Sequence, residues 1–324
     1  MLDRKEDAAR AAWLYFVRGY TQDEVAFQLG TSRPTTQRLI SFAVSEELVR
    51  FKVDHPIVGC LALGAQVARR YGLAFCDIAP TDPKAANARE AIAPYVAERL
   101  LRIVSVKKPI TLGIGTGRTL RLAVDQMERI RRPQHRVVSL VGSTSSGGRA
   151  SAFDVVTCLA DRIQADRYPL QLPVVADSSS DRAALQSRQS YVALLKLRME
   201  ADAVVVGIGE VGAGAQIVED GFLTPSEMNS LVAQGAVGEI TGWAFNADGN
   251  VLEGPANDRV ASMPLTPSPE RPTIIAGGGE SKIAPLRAAL SGRLATALIT
   301  DERTASALLA THSDTAFTAS SLAV

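Results

Sequence analysis

Residues 109–120, Pro-Ile-Thr-Leu-Gly-Ile-Gly-Thr-Gly-Arg-Thr-Leu, read as a strand, a glycine-rich turn and the start of a helix. Glycines let a backbone approach a ligand closely, and the free N–H groups of a helix N-terminus favour an anion. Thr116 and Thr119 add hydroxyls and Arg118 a cation, so Gly115, Thr116, Gly117, Arg118 and Thr119 form a candidate phosphate cradle. The spacing is neither GxGxxG nor GxxxxGK[ST], because Gly113, Gly115 and Gly117 are followed by Leu120 and Val124. Taken alone, the turn serves a structural strand-to-helix connection as readily as a phosphate cradle. Residues 142–149, Gly-Ser-Thr-Ser-Ser-Gly-Gly-Arg, follow a second strand and are expected to rim the same pocket. Their hydroxyls, Ser143 among them, suit a polyol; the other reading is a mobile loop.

A second set of chemically suited residues lies near the N-terminus. Thr21-Gln-Asp-Glu24 has the pattern of a capping box, in which the hydroxyl accepts a free N–H and the carboxylate reaches back. It opens a short helix through Leu29. Gly30 supplies a tight turn, and Ser32 caps a third helix with Pro34 in its first turn. Val25, Ala26, Leu29, Gly30 and Leu39 then fit a helix-turn-helix, with Leu39, Ile40 and Phe42 expected on the buried face. Ser32, Arg33, Thr35, Thr36, Gln37 and Arg38 are expected to meet DNA, Arg reaching guanine and Gln adenine from the major groove. Residues 31–45 hold two arginines and no acid, but residues 1–55 hold eight basic and eight acidic residues. That balance suits weak binding by one copy and an oligomer on a repeated site. The alternative is a helical packing or dimerisation module with a solvated Arg/Gln face.

Composition narrows the remaining classes. The 324 residues are 46% hydrophobic and 21% charged, an ordinary globular balance that argues against disorder and coiled-coil rods. A net charge of +1 leaves no global field for a polyanion, so such a partner must meet a local patch. Cys60, Cys76 and Cys158 are scattered and never in a CxxC pair, and with His55, His135 and His312 they spell no zinc motif. No metal and no cofactor are expected. The longest run without Asp, Glu, Lys or Arg is 14 residues, 55–68, short of the ~20 a membrane helix needs. The opening MLDRKEDAAR lacks the apolar run of a signal peptide. A soluble, cytoplasmic protein without a membrane partner is the expectation.

The elements that must position these residues change character near residue 55. Residues 1–54 read as a helix-turn-helix domain and 55–324 as a larger domain. Beyond residue 108, short β-branched runs (TLGIG, RVVSLVG, AVVVGIG, TIIAGGG, ATALIT) alternate with amphipathic stretches. This is the pattern of βαβ units around a mainly parallel sheet whose strands are covered on both faces. Residues 56–70 read as a connecting helix and 84–104 as a long amphipathic one. Residues 254–272, with five prolines, read as an irregular excursion.

Longer strings in the C-terminal half carry a family resemblance. GAVGEI at 235–240, the turn at 245–249, AGGGESK at 276–282 and LITDERTA at 298–305 closely resemble the SorC family of bacterial sugar-responsive transcription regulators. The segment YTQDEVAFQLGTSRPTTQRL resembles that family's helix-turn-helix, so the likeness runs nearly the whole chain. It implies a Rossmann-like effector domain related to phosphosugar isomerases and CoA transferases, and a homotetramer binding operator DNA and a sugar, polyol or sugar phosphate. Carried over by position, residues 115–119 become the phosphate loop, joined by Gly278 of AGGGESK. Glu239 takes an acidic position that the family usually fills with Asp, and Lys282 its basic one. A carboxylate accepts two sugar hydroxyls, and an ammonium contacts phosphate or hydroxyl oxygens. The structural alternatives are Glu239 paired with an arginine and Lys282 as a solvated first-turn residue.

Two enzymatic readings compete with the regulator. A phosphosugar isomerase or deaminase with an N-terminal extension needs a placed acid/base pair; Glu210, Asp177 and Glu239 are available but sit in no catalytic signature. A nicotinamide-dependent dehydrogenase is opposed by the departures of the 113–117 loop from its fingerprint. The expectation is therefore a regulator without enzymatic turnover.

Overall fold

The computed structural model describes residues 2–49, 57–81, 84–144, 153–266 and 271–310. The chain forms two compact units, residues 1–55 and 56–324.

Among the described residues the first unit holds three α-helices, α1 (Leu2–Ala12), α2 (Gln22–Gln28) and α3 (Arg33–Ser45), with a π-helical turn at Trp13–Val17 after α1. Small residues let the helices approach closely. Ala8, Ala12 and Ala43 form one buried cluster, and Ala11, Val25 and Ile40 a second. The buried face of α3 is Thr36, Ile40 and Ala43, with Leu39 and Phe42 only half-buried. Trp13, Phe16 and Val17 of the π-helical turn are exposed.

The second unit runs α4 (Ile57–Tyr71), β1 (Phe75–Ala79), α5 (Ala88–Val104), β2 (Thr111–Ile114), α6 (Arg118–Gln126), β3 (Arg136–Thr144), α7 (Val155–Ile163) and β4 (Asp166–Pro173). Next come α8 (Ser179–Gln186), α9 (Gln189–Met199), β5 (Ala203–Val206), β6 (Gly209–Glu210), α10 (Gln216–Glu219) and α11 (Pro225–Ala233). The unit finishes with β7 (Ala236–Ile240), β8 (Trp243–Asn246), β9 (Thr273–Ala276), α12 (Ile283–Ser291), β10 (Ala297–Asp301) and α13 (Glu302–Leu309). Seven strands form a wholly parallel sheet in the order β1-β10-β9-β5-β2-β3-β4. The strands β6, β7 and β8 form a small antiparallel sheet beside it.

The strand pleat divides the core in two. Ala203 and Val205 of β5, Ile274 of β9 and Ile299 of β10 pack with α5, α6 and α7. Their neighbours Val204, Val206, Ile275 and Leu298 pack with α4, α9, α12 and α13 on the other face. The near-continuous apolar runs thus have helices on both sides, each buried Val, Leu or Ile contributing about 1.5–3 kcal/mol before its entropy cost. The helix α5 starts at Ala88 rather than at residue 84, because Asn87 caps it by accepting the Glu90 N–H at 3.2 Å. Two edge strands, β1 and β4, were not expected from the sequence; β4 contains Pro169 and ends at Pro173, residues that a sheet edge tolerates. No helix among the described residues is long and apolar enough to cross a membrane.

Candidate functional site

Three strand ends of the parallel sheet open into one cavity of about 310 Å³. Its first wall follows β2. A Cβ on Gly115 would lie 3.3 Å from the Val206 Cα, so glycine lets this turn pack against β5. Gly117 takes φ +123°, strained for any side chain, and no side chain caps the helix α6 that begins after it. The α6 N-terminus therefore faces the cavity without an internal anion. Thr116, Gly117, Arg118 and Thr119 line the wall, the Thr116 hydroxyl donating to the Phe153 carbonyl at 2.6 Å.

The second wall follows β9. The backbone of Gly278 runs so close to the Asp301 carboxylate that a Cβ would collide with it. Asp301 in turn accepts N–H groups from Gly279 (3.1 Å) and Thr304 (2.9 Å), and the Thr304 hydroxyl accepts a second bond from Gly279 (2.7 Å). This buried pair at the end of β10 holds the glycine loop and delivers Lys282 to the cavity. Lys282 pairs with Glu210 of β6. Despite that carboxylate, burial and the guanidiniums of Arg118 and Arg89 push its ammonium down to about 8.

The third wall is the small antiparallel sheet. Gly209 lies opposite Glu239 in register, and its missing side chain leaves the place that the Glu239 carboxylate occupies. Glu239 accepts the Gly242 N–H at 2.8 Å. Burial pushes this carboxyl above the usual range, and the Gly242 N–H pulls partly against it. Arg118 reaches Glu219 of α10 at 2.9 Å, so the segment from β6 to α10 supplies carboxylates to two cavity cations. No ion pair joins Arg89 to a described carboxylate.

The structure thus brings Thr116, Gly117, Arg118, Thr119, Glu239, Gly278 and Lys282 together on one cavity. Gly115 supports the turn from behind, and Ser143 lies half-buried on β3 outside the lining. Residues 145–149 lie outside the described residues. Asn87, Arg89, Gln216, Asp220 and Ser281 also line the cavity without having been foreseen: Asn87 and Arg89 come from the start of α5, Gln216 and Asp220 from the two ends of α10, and Ser281 from within 276–282. Cations, carboxylates and amides around an apolar floor that includes Leu120, Val141 and Ile208 can bind a polyhydroxylated molecule with an anionic end.

The first unit presents the second candidate surface. Thr21 and Glu24 form the expected capping box, the Thr21 N–H donating at 2.7 Å and the Glu24 N–H returning at 3.3 Å. Gly30 takes φ +63° in the turn, and Ser32 caps α3 by accepting the Thr35 N–H at 3.4 Å. The cap Ser32 and Arg33, Thr35, Gln37 and Arg38 of α3 are exposed. Thr36 is not: it is fully buried with Ile40 and Ala43, one and two helical turns on, which removes it from the DNA-facing set. Arg33 lies 3.5 Å from Asp23 of α2.

Residues 55–310 match the sequence family described as "Putative sugar-binding domain". The erythritol catabolism regulatory protein EryD of Brucella abortus is 35% identical over 303 residues, covering 93% of this chain and 96% of that one. The chain belongs to the SorC family of sugar-binding transcriptional regulators. The deoxyribonucleoside regulator of Bacillus subtilis is 28% identical across 95% of this chain and 98% of its own. Among solved structures, the full-length sorbitol operon regulator SorC of Klebsiella pneumoniae has the same fold, with a TM-score of 0.69 over 94% of this chain and 98% of that chain at 22% identity. These proteins are named as regulators, of erythritol catabolism, of deoxyribonucleosides and of a sorbitol operon, and not as enzymes, and the isomerase and dehydrogenase readings fall with them.

Proposed function

We propose that the cavity at the strand ends is the effector site of an operon regulator. It takes a short polyhydroxylated effector, a sugar or polyol, free or phosphorylated. The observation that carries this reading is the convergence of the α6 N-terminus, Arg118, Lys282 and Glu239 on one cavity in a chain related along its length to a regulator named for erythritol catabolism. Gly117 to Thr119 meet the anionic or hydroxyl end of the effector, Lys282 adds charge, and Glu239 accepts hydroxyls. The effector competes with Glu219 for Arg118 and with Glu210 for Lys282, so binding repositions the segment from β6 to α10. Ser32, Arg33, Thr35, Gln37 and Arg38 contact operator DNA. The protein acts in the cytoplasm as a homotetramer, with residues 1–54 binding DNA and 55–324 binding effector and partner subunits.

A thermal-shift screen over sugars, polyols and their phosphates tests the reading. A ligand at 100 Kd stabilises by about 2.7 kcal/mol. One such class is expected to raise the Tm of the wild type and not of Lys282→Ala. A panel in which nothing shifts the wild type would overturn it.

A further inference from the structure

The helix-turn-helix unit is electrostatically neutral: residues 1–55 hold eight basic and eight acidic side chains. Phosphate neutralisation supplies much of the affinity of a DNA-binding protein and nearly all of its sequence-independent part. A unit with no net charge, whose recognition helix adds only Arg33 and Arg38, leaves much of that role to another surface.

The fold assembles such a surface at the end of the parallel sheet opposite the cavity. Two connections meet there, 105–110 leading into β2 and 127–135 leading into β3, whose first residues Thr111 and Arg136 are neighbours in register. Across 105–110 and 128–136 the chain places six basic residues against one acidic, in a protein whose net charge is only +1. Lys107, Lys108, Arg129 and Arg131 are exposed, and Arg132 and Arg136 half-buried.

Few carboxylates answer them. Lys108 lies 3.9 Å from Asp202, and Asp166 is the strand neighbour of Arg136. Among the described residues no ion pair involves Lys107, Arg129, Arg131 or Arg136. The two connections are also held rigidly. Buried His135 accepts the Ile110 N–H at 3.3 Å and bonds the Val104 carbonyl at 3.0 Å. The Gln134 amide donates to the Lys107 carbonyl at 3.2 Å, and the Arg132 N–H to the Ile163 carbonyl at 2.7 Å. A solvated loop needs no such bracing; a surface that presents fixed cations benefits from it.

We propose that this basic edge, built on Lys107, Lys108, Arg129 and Arg131, binds the phosphate backbone of duplex DNA and supplies the sequence-independent part of operator affinity. The proposal rests on the chain's being a DNA-binding regulator. The edge holds no arrangement for reading bases, so its contribution is the same on every sequence.

The test is full-length protein carrying Lys107→Gln, Lys108→Gln, Arg129→Gln and Arg131→Gln, titrated over a salt series. The probes are a duplex selected by the wild type from a random pool and its scrambled counterpart. Each lost phosphate contact lowers the log–log salt slope by about 0.9. The expected result is a slope lower by two or more on both duplexes and an affinity loss of tenfold or greater, equal on the two. The charge-keeping variant Lys107→Arg, Lys108→Arg, Arg129→Lys, Arg131→Lys restores both, and an unchanged Tm shows that the fold is intact. Wild-type affinity and slope in the glutamine variant overturn the proposal. So does a loss confined to the selected duplex, which would make the edge a reader of sequence. Unchanged DNA binding with reduced output in a reconstituted transcription reaction would assign the edge to an acidic protein partner instead. In parallel, Arg33→Ala with Arg38→Ala removes the preference for the selected duplex, which separates a failure of the recognition helix from a failure of the edge.

Discussion

Effector affinity is expected to fall as pH rises through the titration of Lys282. The ammonium is held down to about 8 by burial and by Arg118 and Arg89, so it is charged below that pH and neutral above it. A hydroxyl or phosphate oxygen bound at Lys282 favours the charged form, so each proton lost from the free protein must be restored on binding. One unit above the pKa roughly a tenth of the molecules remain protonated, giving about tenfold weaker binding at pH 9 than at pH 7, or about 1.4 kcal/mol. Calorimetric titrations between pH 7 and 9.5, with the effector identified by thermal shift, measure the profile. A phosphate monoester is already largely dianionic there, so its own titration adds little. Lys282→Arg, which keeps a charge that does not titrate, is expected to bind with a flat profile. A flat profile in the wild type, or the same slope in the arginine variant, would refute the assignment of Lys282 to the effector.

Three substitutions probe the supports of the two surfaces. Thr36→Val is expected to leave DNA affinity within twofold and to raise stability by up to about 1 kcal/mol in urea denaturation, because the buried hydroxyl has no partner; a large loss of operator binding would return Thr36 to the interface. Gly209→Ala places a methyl where the Glu239 carboxylate lies and should cost about 1.5–3 kcal/mol of effector affinity with little change in Tm, since the flexible carboxylate swings away. Unaltered effector binding by that variant would show that Glu239 is not a ligand. Asp301→Ala removes the cap of α13 and an acceptor of the Gly279 N–H, and is expected to destabilise the protein by about 2–4 kcal/mol in denaturant melts; a cost below 1 kcal/mol would mean the pair does not hold the loop.

The alternation of apolar runs with amphipathic stretches was enough to read the parallel sheet, because buried strands in βαβ units leave little room for polar residues. It failed at the edges. The strand β1 is short and half-buried along most of its length, and β4 carries prolines, so neither resembles the central strands. Thr36 was misread because residue type suggested exposure, whereas its spacing to Ile40 and Ala43 assigns it to the core. The cavity was legible at 115–117, where glycine marks close backbone approach, and at 276–282 through the family resemblance. It was not legible at Asn87, Arg89 and Gln216, which reach it from the starts of α5 and α10, nor at Glu219, whose partner Arg118 is about a hundred residues away. The support of the glycine loop by Asp301 and Thr304 did leave a local signal, a capping residue three positions before its partner, inside LITDERTA.

Control of DNA affinity by effector bound at Lys282 and Glu239 is measured directly by a reciprocal titration. Operator affinity is determined against effector concentration for the wild type, Lys282→Ala and Glu239→Ala, and effector affinity with and without operator. A tenfold change in operator affinity corresponds to about 1.4 kcal/mol of coupling, and operator must change effector affinity by the same factor. The predicted result is a reciprocal, roughly tenfold response in the wild type, with both variants binding operator normally and losing the response. A wild-type response in both variants would contradict the claim and place the controlling site elsewhere.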